Sequence, residues 1–130
     1  MKKKFFGIIG KPLKHSLSPV LHNYWFEKYN IEADYSIIET TDNDLPEIIK
    51  KIKEGIYAGI NVTLPFKQRI TNHVDNVIND AELTGSVNTI FLDGDKNVIG
   101  ENTDVYGLQA AYLKAIDNNL NKKVLVIGAG

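Results

Sequence analysis

The sequence contains no cysteine, which excludes disulfides and thiolate chemistry and fits a reducing, cytoplasmic compartment. It lacks an excess of either charge. Fifteen Lys and Arg against sixteen Asp and Glu leave a formal charge of -1, so no basic surplus exists to neutralise phosphates and nucleic acid is not an expected partner. It also lacks any run approaching the ~20 apolar residues needed to span a bilayer, so no membrane association is expected. The opening Met1-Lys-Lys-Lys4 carries the charge of a secretory leader. The apolar run behind it, Phe5 to Ile9, is too short for one and is broken by Gly10-Lys11-Pro12, so it reads as the lead-in to a strand. Internal repeats and low-complexity segments are absent. What remains is ordinary globular material, 43% hydrophobic and 24% charged, and 130 residues suffice for one domain with a core.

Strand and helix patterns alternate along the chain. Phe5 to Ile9 reads as a buried strand. Ser18-Pro19 reads as an N-cap followed by proline at the first helical position, with Val20, Leu21, Tyr24, Trp25 and Tyr29 at helical spacing behind it and Asn30 as the stop. Tyr35, Ile37 and Ile38 make a second strand. Asp44 with Glu47 resembles a capping box for a helix carrying Leu45, Ile48, Ile49 and Ile52, ended by Gly55. Gly59 to Thr63 is a third strand, and Pro65 is expected to open another helix. Val87 to Leu92 and the short return at Val98 and Ile99 flank a turn at Asp93–Asn97. A helix is expected from Thr103, with Val105, Leu108, Tyr112, Ala115 and Ile116 on one side. Lys122-Lys123 then leads into an apolar strand, Val124 to Ile127. This alternation predicts an α/β fold, three-layer α/β/α, with a mixed but mainly parallel sheet.

Several residues in this pattern carry chemistry. Side chains two apart on a strand share a face, so Asn61 and Thr63 point the same way at the carboxyl end of their strand, where open α/β sheets bind ligands. Lys67, expected in the first turn of a helix opened by Pro65, opposes the helix macrodipole, which disfavours its charged form and suits a lysine that transfers a proton. An exposed lysine that happens to begin a helix is the plainer alternative. Ser16 and Ser18 offer hydroxyls at a helix start, where free N–H groups can also receive a carboxylate. Ser18 is equally a helix cap, and His15 between strand and helix reads as a loop residue. Asn88, on an apolar face, must find partners, and an amide tying two strands together accounts for it. Asp104 complements the dipole of the helix that Asn102 or Thr103 can cap; a functional role for it requires that it meet Lys67 in space. Val124-Leu-Val-Ile-Gly-Ala-Gly130 is a buried strand running into the first two glycines of a dinucleotide-binding fingerprint.

Taken in order, Gly10-Lys-Pro-Leu-Lys-His-Ser-Leu-Ser-Pro19, Asn61-Val-Thr-Leu-Pro-Phe-Lys67, Gly85-Ser-Val-Asn-Thr89, Asn102-Thr-Asp104 and Gly128-Ala-Gly130 resemble the shikimate dehydrogenase family along nearly the whole chain. The resemblance implies the amino-acid-dehydrogenase-like N-terminal domain over residues 1–103, then a connecting helix and the first strand of an NADP-binding Rossmann domain over 104–130. It implies reversible, NADPH-dependent reduction of 3-dehydroshikimate to shikimate, in aromatic amino-acid (chorismate) biosynthesis, by a cytoplasmic monomer or homodimer. Ser16 and Ser18 match residues holding the substrate carboxylate. Asn61, Thr63, Asn88 and Asp104 match residues bonding the ring hydroxyls. Lys67 and Asp104 match the catalytic pair, and Gly128 and Gly130 belong to the cofactor turn. No metal is implied. The family often flanks Asn-Thr-Asp with aspartate and glycine; Glu101 and Val105 stand here instead and read as tolerated variation.

A quinate/shikimate dehydrogenase of the same family is the nearest alternative. A non-catalytic ligand-binding module is a different class, against which Lys67 and Asp104 speak. A folate-pathway dehydrogenase of similar two-domain layout is more distant. Because the chain stops at Gly130, it is expected to fold over its first hundred or so residues and to neither bind NADPH nor catalyse alone.

Overall fold

The computed structural model describes residues 2–113 and, beyond them, residues 123, 125, 127 and 128. Six strands form one mixed sheet: β1 Lys4–Ile9, β2 Ala33–Ile38, β3 Gly59–Val62, β4 Asn76–Val77, β5 Thr89–Leu92 and β6 Val98–Glu101. Their spatial order is β2-β1-β3-β5-β6-β4. β1 pairs in parallel with β2 and β3, and β4 with β6, whereas β5 is antiparallel to both β3 and β6. Five strands therefore run one way, and only β5 is reversed. The carboxyl ends of β1, β2, β3 and β6 and the start of β5 consequently share one end of the sheet.

Alternation divides the sheet into two faces. Ile9, Ile60, Val62, Ile90 and Val98 face α2 (Leu45–Lys53), whose Leu45, Ile48, Ile49 and Ile52 are all buried against them. Phe66, Ile70, Ala81 and Val87 complete this core. The opposite face carries Phe6 paired with Tyr35 and, one step further along, Asn61 paired with Thr89, and α1 (Ser18–Lys28) lies on it. His22 of α1 stacks on Tyr35, with ring centroids 4.3 Å apart, and Phe26 packs on Phe6 at 5.6 Å. The Asn23 side chain exchanges two hydrogen bonds with the Tyr35 backbone, which closes the outer edge of β2.

Several local expectations are corrected. Ser18 is the first helical residue rather than the N-cap. Leu17 holds the cap position, no side chain caps α1, and Pro19 falls one place further in. The apolar residues that marked α1 face outward: Val20 is 70% and Tyr24 55% exposed, because the helix meets the sheet through His22, Asn23 and Phe26. The capping box lies one turn earlier than Asp44 and Glu47. Thr41 donates its amide and hydroxyl to Asp44 Oδ2, and Asp44 makes no side-chain cap bond to α2. No helix starts at Pro65. The Phe66 amide bonds the Thr63 carbonyl, closing a turn through the cis Leu64-Pro65 peptide, and a 3-10 turn follows at Arg69–Asn72.

Two elements were not expected, β4 and the short α3 (Asp80–Thr84). Gly85 ends α3 at φ +62°, a left-handed position that favours glycine. The helix after Thr103 is α4 (Asp104–Leu108), continued by a π-helical turn at Gln109–Leu113. Leu108 and Tyr112 are exposed there; Ala115 and Ile116 lie outside the described residues. Of the expected strand, Val124 and Val126 also lie outside them, and Leu125 and Ile127 are exposed and in no strand. Among the described residues no helix is long and apolar enough to cross a membrane.

Candidate active site

The shared strand end gathers the candidate side chains, several of them linked by hydrogen bonds. Gly10 lets β1 and β3 close there, since a Cβ at this position would run into the Thr63 methyl and lie 3.0 Å from the Leu64 carbonyl oxygen. Thr63 follows β3 directly. Its amide bonds the Ile9 carbonyl at 2.9 Å, and its hydroxyl has no partner among the described residues.

Asn61, two residues earlier, lies on the face that carries α1, and both its Oδ1 and its Nδ2 are engaged. Its Oδ1 accepts the Tyr35 phenol at 2.8 Å, and its Nδ2 donates to Thr89 Oγ1 at 3.2 Å and to the Asn88 carbonyl at 3.3 Å. Burial pushes the Tyr35 hydroxyl up to about 12, and the neighbouring Ser18 hydroxyl partly offsets that effect. Ser18 thus reaches this row through Tyr35. Ser16 joins through Ser18, whose amide stands 3.4 Å from Ser16 Oγ.

The row continues through Asn88, which is 8% exposed. Its Oδ1 accepts the Thr89 hydroxyl at 2.9 Å and the Thr103 amide at 3.0 Å, and its Nδ2 donates to Thr103 Oγ1 at 3.0 Å. Asn88 therefore ties the sheet to the start of α4. Asn102 fixes the next residue: it is buried, donates to the Ser86 carbonyl at 2.8 Å, and accepts the Asp104 amide at 2.9 Å.

Asp104 Oδ2 lies 2.6 Å from Lys67 Nζ. The Lys67 carbonyl accepts the Val87 amide at 2.8 Å, so the lysine backbone is tied to the segment bearing Asn88. With no helix at Pro65, the macrodipole invoked for Lys67 has no source, and the aspartate is its electrostatic partner instead. The Asp104 side chain is 55% exposed and that of Lys67 25%, so the pair is open to a bound molecule. A cleft of about 620 Å³ lined by Gly10 to Lys14, Ile37, Glu39 to Thr41 and Asp44 includes none of these residues. Among the described residues no cluster of His, Cys, Asp or Glu could hold a metal ion.

Ser16, Ser18, Asn61, Thr63, Lys67, Asn88 and Asp104 all sit at this end, joined by hydrogen bonds or by adjacency along the chain. Tyr35, Thr89, Asn102 and Thr103 complete the row and were not singled out as site residues in the sequence. Only strand register reveals Tyr35 and Thr89. Gly128 has a φ of +102°, a backbone conformation that favours glycine, while Gly130 lies outside the described residues. An array of hydroxyls and amides ending in an ammonium–carboxylate pair can hold a polyhydroxylated acid and deliver a proton to one of its oxygens.

The sequence model of the family described as the shikimate dehydrogenase substrate-binding domain matches residues 8–90. The shikimate dehydrogenase (NADP(+)) of Pelagibacter ubique is 43% identical over 128 residues, 98% of this chain and 48% of that protein. The Bacillus subtilis enzyme of the same name is 36% identical over 98% of this chain and 46% of its own length. The chain thus spans about half the length of the curated relatives it matches. The Thermus thermophilus shikimate 5-dehydrogenase solved with NADP(H) and shikimate superposes with a TM-score of 0.77 at 35% identity, covering 86% of this chain and 42% of that one. The Listeria monocytogenes shikimate 5-dehydrogenase solved with shikimate and NAD gives 0.80 at 34% identity, covering 87% and 39%.

Proposed function

Since the chain belongs to the shikimate dehydrogenase family, matched by its substrate-binding domain, we propose that it forms the shikimate-binding half of an NADP-dependent shikimate dehydrogenase. The reaction is the reversible reduction of 3-dehydroshikimate to shikimate, a step of aromatic biosynthesis. The observation that carries this reading is the 2.6 Å contact of Lys67 with Asp104, made between the turn after β3 and the start of α4.

Ser16 and Ser18 hold the substrate carboxylate. Thr63 and Asn88 bond ring hydroxyls, Thr63 with a hydroxyl that has no other partner among the described residues. The cofactor, when bound, supplies or accepts the hydride. Lys67 delivers the proton to the oxygen that gains charge as the carbonyl is reduced, and in the reverse direction takes it back. Asp104 orients the ammonium and can accept a hydrogen bond from the same substrate hydroxyl. Asn61 stands behind this set, since both its amide hydrogens and one oxygen lone pair are committed within the fold.

Residues 1–103 form the substrate domain in this reading, and residues 104–130 lead into the nucleotide domain. The protein acts in the cytoplasm as a monomer or homodimer. The test is shikimate-dependent reduction of NADP by the complete enzyme that contains this chain. Shikimate turned over at least tenfold more efficiently than quinate is the expected result. Preference for quinate would make it a quinate/shikimate dehydrogenase, and tight binding of shikimate without turnover would make it a binding module.

A further inference from the structure

Asn88 can serve a substrate only if its amide faces one way. Rotated by half a turn, it would aim Nδ2 at the Thr103 N–H, donor against donor, and would lose the acceptor for the Thr89 hydroxyl. Thr103 holds the same side chain through both its amide and its hydroxyl, but it is the less firmly placed of the two references. Thr103 is exposed and occupies the cap position of α4, where the chain leaves the sheet. Thr89 differs. It begins β5 and is held from both sides, paired with Asn61 on β3 and with Glu101 on β6. Its hydroxyl receives a hydrogen from Asn61 Nδ2 at 3.2 Å, which leaves its own proton to point at Asn88 Oδ1, 2.9 Å away. Asn61 is held in turn by the buried Tyr35 phenol at 2.8 Å. A phenol can donate or accept, so the sense of Asn61 is fixed by the Asn88 carbonyl, which only accepts, 3.3 Å from Asn61 Nδ2; Asn61 then fixes the sense of the Thr89 hydroxyl.

We propose that Thr89 is a positioning residue of the substrate site: its hydroxyl, polarised by Asn61, locks the Asn88 amide with Nδ2 toward the ligand. The proposal deepens the shikimate reading and rests on Asn88 as a ligand in it. Asn61 then acts through Thr89 rather than on the substrate.

The experiment uses nitrogen-15-labelled chain, with the Asn88 side-chain amide assigned by its loss in Asn88→Asp, and a shikimate titration. Thr89→Val keeps the shape and removes the hydroxyl; Thr89→Ser keeps the hydroxyl. Thr89→Val should shift and broaden the Asn88 amide pair and weaken shikimate binding about tenfold, the equivalent of one lost hydrogen bond. Thr89→Ser should restore both to near the wild-type values. If Thr89→Val fails to fold, Thr89→Ala serves with the same expectation. Unchanged Asn88 resonances in the variant lacking the hydroxyl would overturn the proposal. So would a Thr89→Ser variant that behaves like Thr89→Val, since the methyl would then be what matters. If wild-type chain does not bind shikimate, the functional reading fails, while the Asn88 resonances still decide the positioning.

Discussion

Lys67 and Asp104 lie 37 positions apart in the chain, yet their side chains meet at 2.6 Å. Neither owes its place to the other. Lys67 follows the turn closed between Thr63 and Phe66, and Asp104 is set by the Asn102 carboxamide. A pair this exposed contributes little to stability, so its geometry is better explained by chemistry. In the complete enzyme, Lys67→Ala should lower kcat by ~10²–10⁴ and change KM for shikimate far less, because the charge it meets develops in the transition state. Steady-state kinetics would check this, and a change confined to KM would remove the acid–base role.

Ser16 should show the opposite signature. Its partner, the substrate carboxylate, is unchanged between ground and transition states, so Ser16→Ala removes uniform binding. KM should rise about tenfold with kcat nearly constant. Comparable losses in kcat would place Ser16 closer to the reacting atoms than this reading allows.

Asn61→Ala would strand the Tyr35 hydroxyl in a buried position and remove the link to Thr89. An unsatisfied buried polar group costs about 1–3 kcal/mol. Urea unfolding of the chain should register a loss of that size, alongside weaker shikimate binding. Weaker binding with stability unchanged would return Asn61 to the set of direct ligands.

Periodicity made α2 and every strand but β4 legible, because one apolar stripe and short apolar runs suffice to mark them. Asp104 reads locally as complementing the dipole of the helix it begins, and only the fold shows that it meets Lys67. The helix expected at Pro65 failed because its first carbonyl, that of Thr63, bonds the Phe66 amide in a turn instead. The Tyr35–Asn61–Thr89–Asn88 row depends on the register of β2, β1, β3 and β5, which no local spacing encodes. The apolar residues of α1 have helical spacing, but spacing alone does not say which face meets the sheet.

That difference in α1 is measurable. Val20 is 70% exposed and Ile52 wholly buried, although both are apolar residues at helical spacing. Val20→Lys should alter the stability of the chain by no more than about 0.5 kcal/mol. Ile52→Ala should cost ~2–5 kcal/mol through lost burial and the cavity left behind. Chemical denaturation of the two variants would check the contrast, and a large loss for Val20→Lys would mean that α1 is packed differently.

The stack of His22 on Tyr35 should limit stability at both ends of the pH range. Burial lowers the affinity of His22 for a proton below the ordinary value of 6.5, so the unfolded chain binds that proton first. The stability linked to His22 is therefore intact above pH 6.5 and is lost as pH falls below it. Asp75, held below 3.8 by the Val98 amide and by Lys53, works in the same direction at lower pH, and its contribution disappears as the carboxylate protonates. Tyr35 acts at the other end. Its hydroxyl is pushed from 10.0 to about 12, so above pH 10.0 the unfolded chain gives up its proton first and stability falls until the folded state ionises too. Urea midpoints measured from pH 4 to 11 should trace a plateau between roughly 7 and 10. His22→Phe keeps the ring stack and should flatten the limb just below pH 6.5, and Tyr35→Phe should flatten the alkaline limb. If both limbs survive both substitutions, the stacked pair is not the titrating element.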